Sequence, residues 1–158
     1  MFRVVREGLD PLVTTGSLKA GGRFNPPNEF GALYTSVEAT TAAKEVARGL
    51  RQRGIDPDQF PEGAWWVYEL EVELETVLDL TDRDVLRECG IREDSLTGTD
   101  VNATREIAAQ ARQGGYQALL VPSAAVAGSK NLVIFLDILR LRPNVVSSRP
   151  VSLCEPTS

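Results

Sequence analysis

Apolar and polar residues alternate most regularly over 65–76, where Trp66, Tyr68, Leu70, Val72 and Leu74 fall on one side and Glu69, Glu71, Glu73 and Glu75 on the other. A period of two predicts a half-buried strand. The opening FRVVRE and the stretch 32–35 predict two shorter strands. Ala42, Ala43, Val46, Ala47 and Leu50 recur at helical spacing, so a helix is expected from a cap at Thr35 or Ser36 to about Leu50, with Glu38 in its first turn. TDRD from Thr81 is an N-terminal capping pattern, and Gly90 ends the short helix after it. A further helix is predicted over 103–113, stopped by Gly114 and Gly115 and followed by the strand YQALLV. Pro122 closes that strand, SAAVAGSK turns the chain, and the unbroken apolar run NLVIFLDILRL predicts a final strand buried on both faces.

Strands and helices are interleaved without regular βαβα alternation, which places the chain in the α+β class. At 158 residues and 42% apolar content one compact domain suffices. That domain is expected over 1–143, with 144–158 a weakly ordered tail. The net charge of -5 gives no basis for gripping a nucleic-acid backbone, although a local basic pocket could still hold a small anion. Cys89 and Cys154 stand far apart and outside any metal-binding spacing. No basic segment leads into an apolar core at the N-terminus, and no run approaches the about 20 residues that span a bilayer. A cytoplasmic protein without membrane contact is expected.

Candidate chemistry changes this picture at 21–45. The segment 8–31 is rich in Gly, Pro, Thr and Asn and has no apolar period, and irregular stretches of that length in small domains are usually functional. Within it GGR presents Arg23; Tyr34 follows after eleven residues on a strand, and Glu45 after eleven more on a helix. Ser123 comes later, in VPSAAVAGSKN. A guanidinium, an aromatic ring, a carboxylate and a hydroxyl suit a substrate bearing phosphate and a ring. Each also has a plain alternative: a surface arginine, a core tyrosine, a solvated helical glutamate beside Lys44 and Arg48, and a serine that only shapes a turn.

The chain contains no histidine. Serine or cysteine nucleophiles paired with imidazole are therefore impossible, and a zinc site would lack its commonest nitrogen ligand, so no metal is expected. Neither G-x-G-x-x-G nor G-x-x-x-x-G-K-[ST] occurs. The acids of 69–75 form overlapping E-x-E patterns similar to those of some arginine-modifying ADP-ribosyltransferases, but alternation explains them as a solvent face. Trp65 and Trp66 read as packing or partner-surface residues rather than substrate stackers.

In order and spacing, VVRE, GGRFN, ALYTS, AAKEV, DLTD and VPSAAVAGSKNLVIF resemble the RES-domain family, toxins of bacterial type II toxin-antitoxin pairs. The resemblance spans nearly the whole chain, with Phe24 where the family often has Trp. It implies a mixed, curved β-sheet flanked by helices, like that of ADP-ribosyltransferase toxins. It also implies an NAD phosphorylase or glycohydrolase that cleaves the nicotinamide–ribose bond. NAD is then a substrate and not a cofactor, inorganic phosphate a co-substrate, and no resident cofactor is implied. Carried over, Arg23, Tyr34, Glu45 and Ser123 are the catalytic candidates, and Arg6 and Asn131 join Arg23, Tyr34 and Ser123 as substrate-binding ones. Glu45 would face the ribose, Arg23 the pyrophosphate or incoming phosphate, Tyr34 the nicotinamide or its ribose, and Ser123 phosphate or ribose oxygens. A cognate antitoxin is the expected partner, in a homodimer or a toxin-antitoxin hetero-oligomer. ADP-ribosyl transfer to a protein, or NAD binding without cleavage, are the alternatives.

Overall fold

The computed structural model describes residues 1–154. Seven strands occur there: β1 (Phe2–Arg6), β2 (Leu33–Ser36), β3 (Trp65–Glu71), β4 (Val77–Asp79), β5 (Ala118–Pro122), β6 (Lys130–Ile134) and β7 (Asn144–Pro150). They join in one sheet in the order β4-β5-β6-β2-β1-β3-β7, in which β4 and β5 run parallel and every other pair antiparallel. The helices are α1 (Thr15–Ala20), α2 (Ala39–Gln52), α3 (Arg83–Cys89) and α4 (Val101–Gln113). This is the mixed-sheet α+β architecture that the sequence predicts.

Two apolar clusters flank β2. On one side Ala42, Ala43, Ala47 and Leu50 of α2 meet Val4 and Val67, the small alanines letting the helix lie close to the sheet. On the other, Leu86 of α3 and Ala108 and Ala111 of α4 meet Leu119, Val121 and Val133. Leu33, Leu132 and Ile134 join Leu70 and Ala118 in a third cluster. The alternation of Leu132 and Ile134 with Val133 between clusters is what burial on both faces requires.

Four local expectations need correction. First, β3 ends at Glu71 although its alternation continues, because its pairing with β7 stops at Glu71–Asn144 and the chain turns away. The Glu75 N–H then donates to the Gln117 side chain at 2.7 Å, and β4 begins alongside β5. Second, neither Thr35 nor Ser36 caps α2; both lie in β2 with their hydroxyls bonded across the sheet, and Glu38 occupies the cap position without a capping side-chain bond. Asp82, not Thr81, caps α3 by accepting from the Asp84 N–H. Third, 8–31 contains α1, which is too short to display a period.

The fourth correction concerns the C-terminus. The apolar run after β6 breaks into a 3-10 turn, Leu136–Ile138, and the last strand is β7, hydrogen-bonded along β3. The boundary expected at 143 therefore falls inside the sheet. All seven β7 residues are exposed, so backbone pairing rather than apolar burial holds the strand, and no apolar pattern announces it. The remainder of the expected tail, 155–158, lies outside the described residues.

Candidate active site

A cleft of about 590 Å³ opens between α2, the loop before β2 and the face of the sheet at Tyr34, Ser36 and Asn131. Such a volume lies in the range of small-molecule and cofactor sites. Its walls carry Arg3, Arg23, Arg48 and Arg53 against a single carboxylate, Glu45. An acidic chain thus concentrates positive charge in one concavity.

Arg23 occupies the tip of a tight turn closed by Gly22 N–H donating to the Asn25 carbonyl at 2.9 Å. Tyr34 clamps this turn: its hydroxyl accepts from Phe24 N–H at 3.0 Å and donates to Asn25 Oδ1 at 2.7 Å. Asn25, fully buried, completes the clamp by donating to the carbonyls of Ser17 at 2.8 Å and Phe30 at 3.0 Å. A Cβ on Gly22 would stand 2.2 Å from the Tyr34 oxygen, so only glycine allows the approach. From the other side α4 grips the loop, with Arg105 Nε donating to the Gly22 carbonyl at 2.8 Å and Thr104 Oγ1 to the Arg23 carbonyl at 2.6 Å. The Arg23 guanidinium itself donates to the Gly98 carbonyl.

Burial, helped by the nearby Arg48, lowers the pKa of Arg23, while Glu45 and Tyr34 oppose the shift. Burial likewise raises the Tyr34 phenol well above its ordinary value, with the Phe24 N–H, Arg105 and Arg23 pulling the other way. The Arg23 and Arg48 guanidiniums repel each other, and an anionic group between them would relieve that repulsion.

Glu45 projects from α2 toward the row that β2 and β6 present. Ser36 and Asn131 are direct register partners, so their side chains stand together on one face. Glu45 Oε1 accepts from Asn131 Nδ2 at 2.7 Å and from Ser123 Oγ at 2.6 Å. Ser36 Oγ donates to Asn131 Oδ1 at 2.7 Å. Among the described residues no hydrogen bond reaches the second carboxylate oxygen.

The six sequence candidates thus meet different fates. Arg23, Tyr34, Glu45 and Asn131 line the cleft. Ser123 is buried behind Glu45, its hydroxyl donating to the carboxylate and accepting from the N–H groups of Ala125 at 3.1 Å and Val126 at 3.0 Å. That hydroxyl orients Glu45 and is not offered to the cleft. Arg6 is elsewhere, stacked 4.9 Å from the Phe60 ring centre and 5.4 Å from that of Trp65. Those two rings belong to a second cavity, of about 390 Å³, beside residues 150–154.

Three arginines of the cleft, Arg3, Arg48 and Arg53, were not among the sequence candidates. Arg3 lines the cleft, donates to the carbonyls of Tyr34 and Val13, and keeps a buried Nε without a partner; burial lowers its pKa to about 10, against an opposing pull from Asp10. A charge between Phe2 and Val4 in a strand was the available signal. Arg48 stands three residues after Glu45, on the same helix face, and that spacing pointed to it.

Residues 1–152 match the RES domain family. The chain belongs to that family. This RES domain is 29% identical over 148 residues to the NAD(+) phosphorylase MbcT of Mycobacterium bovis, spanning 94% of this chain and 78% of that relative. It is 34% identical over 128 residues to a Mycobacterium tuberculosis relative called "Probable NAD(+) phosphorylase Rv3189", covering 81% of this chain and 58% of the relative. Its fold matches the crystal structure of the Mycobacterium tuberculosis MbcT-MbcA toxin-antitoxin complex with a TM-score of 0.82 at 24% identity, over 96% of this chain and 83% of that one.

Proposed function

We propose that this RES domain is a toxin that degrades NAD, breaking the nicotinamide–ribose bond and passing the ribosyl carbon to inorganic phosphate, with water as the competing acceptor. One fixed carboxylate facing several guanidiniums in a single cleft carries this reading. The naming of relatives as NAD(+) phosphorylases over most of the chain supports it.

In NAD the nicotinamide ring nitrogen is already cationic. Nicotinamide leaves with the bonding pair as a neutral molecule, so no acid has to protonate it, and a chain without histidine loses nothing. Positive charge instead grows on the ribose, and a carboxylate held in place lowers its energy without having to reorganise. Glu45 supplies that charge, oriented by Ser123 and Asn131. Arg23 and Arg48 bind pyrophosphate or the incoming phosphate, whose oxygens match the guanidinium fork. The ring of Tyr34 forms the wall against the nicotinamide or its ribose, its hydroxyl being engaged in the clamp. A phosphate oxygen then bonds the ribosyl carbon, giving nicotinamide and ADP-ribose phosphorylated at that carbon.

NAD is a substrate in this scheme and phosphate a co-substrate. An enzyme that drains NAD must be restrained in the cell that makes it, so a cognate antitoxin obstructing the cleft is its partner, and the cytoplasm its place. No helix among the described residues is long and apolar enough to cross a membrane.

Product analysis of NAD incubated with and without phosphate tests the reading. Nicotinamide release that phosphate accelerates, with ADP-ribose phosphate as product, is expected; free ADP-ribose alone makes water the acceptor. Transfer of label to a lysate protein would instead favour ADP-ribosylation, and saturable binding with NAD intact would leave a binding module. Glu45→Gln is expected to lower turnover by about 100-fold with little change in the thermal melt, and near-normal turnover would remove Glu45 from the mechanism.

A further inference from the structure

Both donors that reach Glu45 reach the same oxygen, Oε1. One donor, the Asn131 amide, has two nearly isosteric ends of opposite character: Nδ2 donates and Oδ1 accepts. Turned about, it would set its carbonyl against the carboxylate, acceptor against acceptor. The acceptor-only Glu45 carboxylate selects the Nδ2 end, and Ser36 anchors the opposite end, its hydroxyl donating to Asn131 Oδ1 at 2.7 Å and so holding the amide plane in line with Oε1. Ser36 is 3% exposed, so solvent has little access with which to replace that donor. The β2–β6 register pairs the two residues and holds hydroxyl and amide side by side.

We propose that Ser36 is a positioning residue for the Glu45 carboxylate. It locks the Asn131 amide with N–H toward Oε1, so that Glu45 is held by two fixed donors at one oxygen and presents the other to the ribose. This rests on Glu45 being the group that faces the ribosyl cation. The arrangement also explains an amide at position 131. An aspartate there would fit the same space but set two carboxylates against each other, with repulsion where the amide supplies a donor.

NAD turnover by Ser36→Ala, Asn131→Ala and the double variant tests the relay. Ser36→Ala is expected to lower kcat by about 10-fold with KM for NAD within about twofold, the pattern of a misoriented reacting group. Because Ser36 acts through Asn131, the double variant should be no slower than Asn131→Ala alone. Ser36→Thr keeps the hydroxyl and should recover most of the lost kcat. In Asn131→Asp the donor to Oε1 becomes an acceptor, and kcat should fall at least as far as in Asn131→Ala. Losses that multiply in the double variant, or a Ser36→Ala kcat within about twofold of the parent, would overturn the proposal. So would an Asn131→Asp kcat near that of the parent, a result that stands even if Ser36→Ala does not fold. Failure of the underlying reading is separate: it shows as Glu45→Gln keeping near-parent turnover.

Discussion

Tyr34 does two jobs that pull on its chemistry in different ways: its ring faces the cleft while its hydroxyl, donor and acceptor at once, ties Asn25 and the Phe24 amide together. Tyr34→Phe leaves a buried asparagine oxygen and an amide without partners, at a cost of about 1–3 kcal/mol for each group so stranded. Denaturant unfolding should register the loss. Alkaline pH gives a second readout. Because the folded phenol holds its proton where the unfolded one releases it, Tyr34 draws stability down as pH climbs above about 10. Melts from pH 9 to 11 should thus fall less steeply in Tyr34→Phe than in the parent. Arg23, Tyr34 and Glu45 were legible through their order along the chain, since each taken alone had a plain alternative. Arg3 was not, because reading FRVVRE only as a strand discards the one charge flanked by core residues.

Helix α4 contributes no acid, base or nucleophile, yet it holds the turn that presents Arg23. Thr104 and Arg105 both bond backbone carbonyls of that turn. Arg105→Met keeps much of the aliphatic packing but releases the Gly22 carbonyl. It is expected to raise KM for NAD or for phosphate several-fold while shifting the melt little, and steady-state kinetics with each substrate varied in turn will measure it. Periodicity marked α4 over nearly its full length, but its service to the loop depends on contacts about 80 residues distant in sequence, which no local pattern encodes. The same limit applies to β4 and β7. Each is defined by the partner strand it lies against, β5 and β3 respectively, and the alternation of 65–76 overran the point where that partnership changes.

At the scale of the molecule, the site occupies the seam between two packed halves. Glu45 belongs to the half where α2 covers β1 and β3, while α4 and the clamped turn belong to the half over β5 and β6, with β2 between them. The C-terminal segment secures the first half: β7 lines β3, and Val151 and Leu153 join the α2 cluster. Ending the chain after Pro143 removes those side chains along with a full strand of backbone pairing. The expected result is a loss of at least about 3 kcal/mol, seen as a lower melting temperature and as light scattering from the bared β3 edge.

The two tryptophans lie next to each other on β3, and Trp65 packs into the α2 cluster, whereas the aromatic residues of the opposite cluster are Phe24, Phe30, Phe135 and Tyr34. Indole emission therefore watches one bank of the cleft and is blind to the other. A fluorescence melt on this protein times the loosening of the bank that carries Glu45, and an inhibitor or partner that disturbs only the Arg23 turn can silence the enzyme without altering the signal.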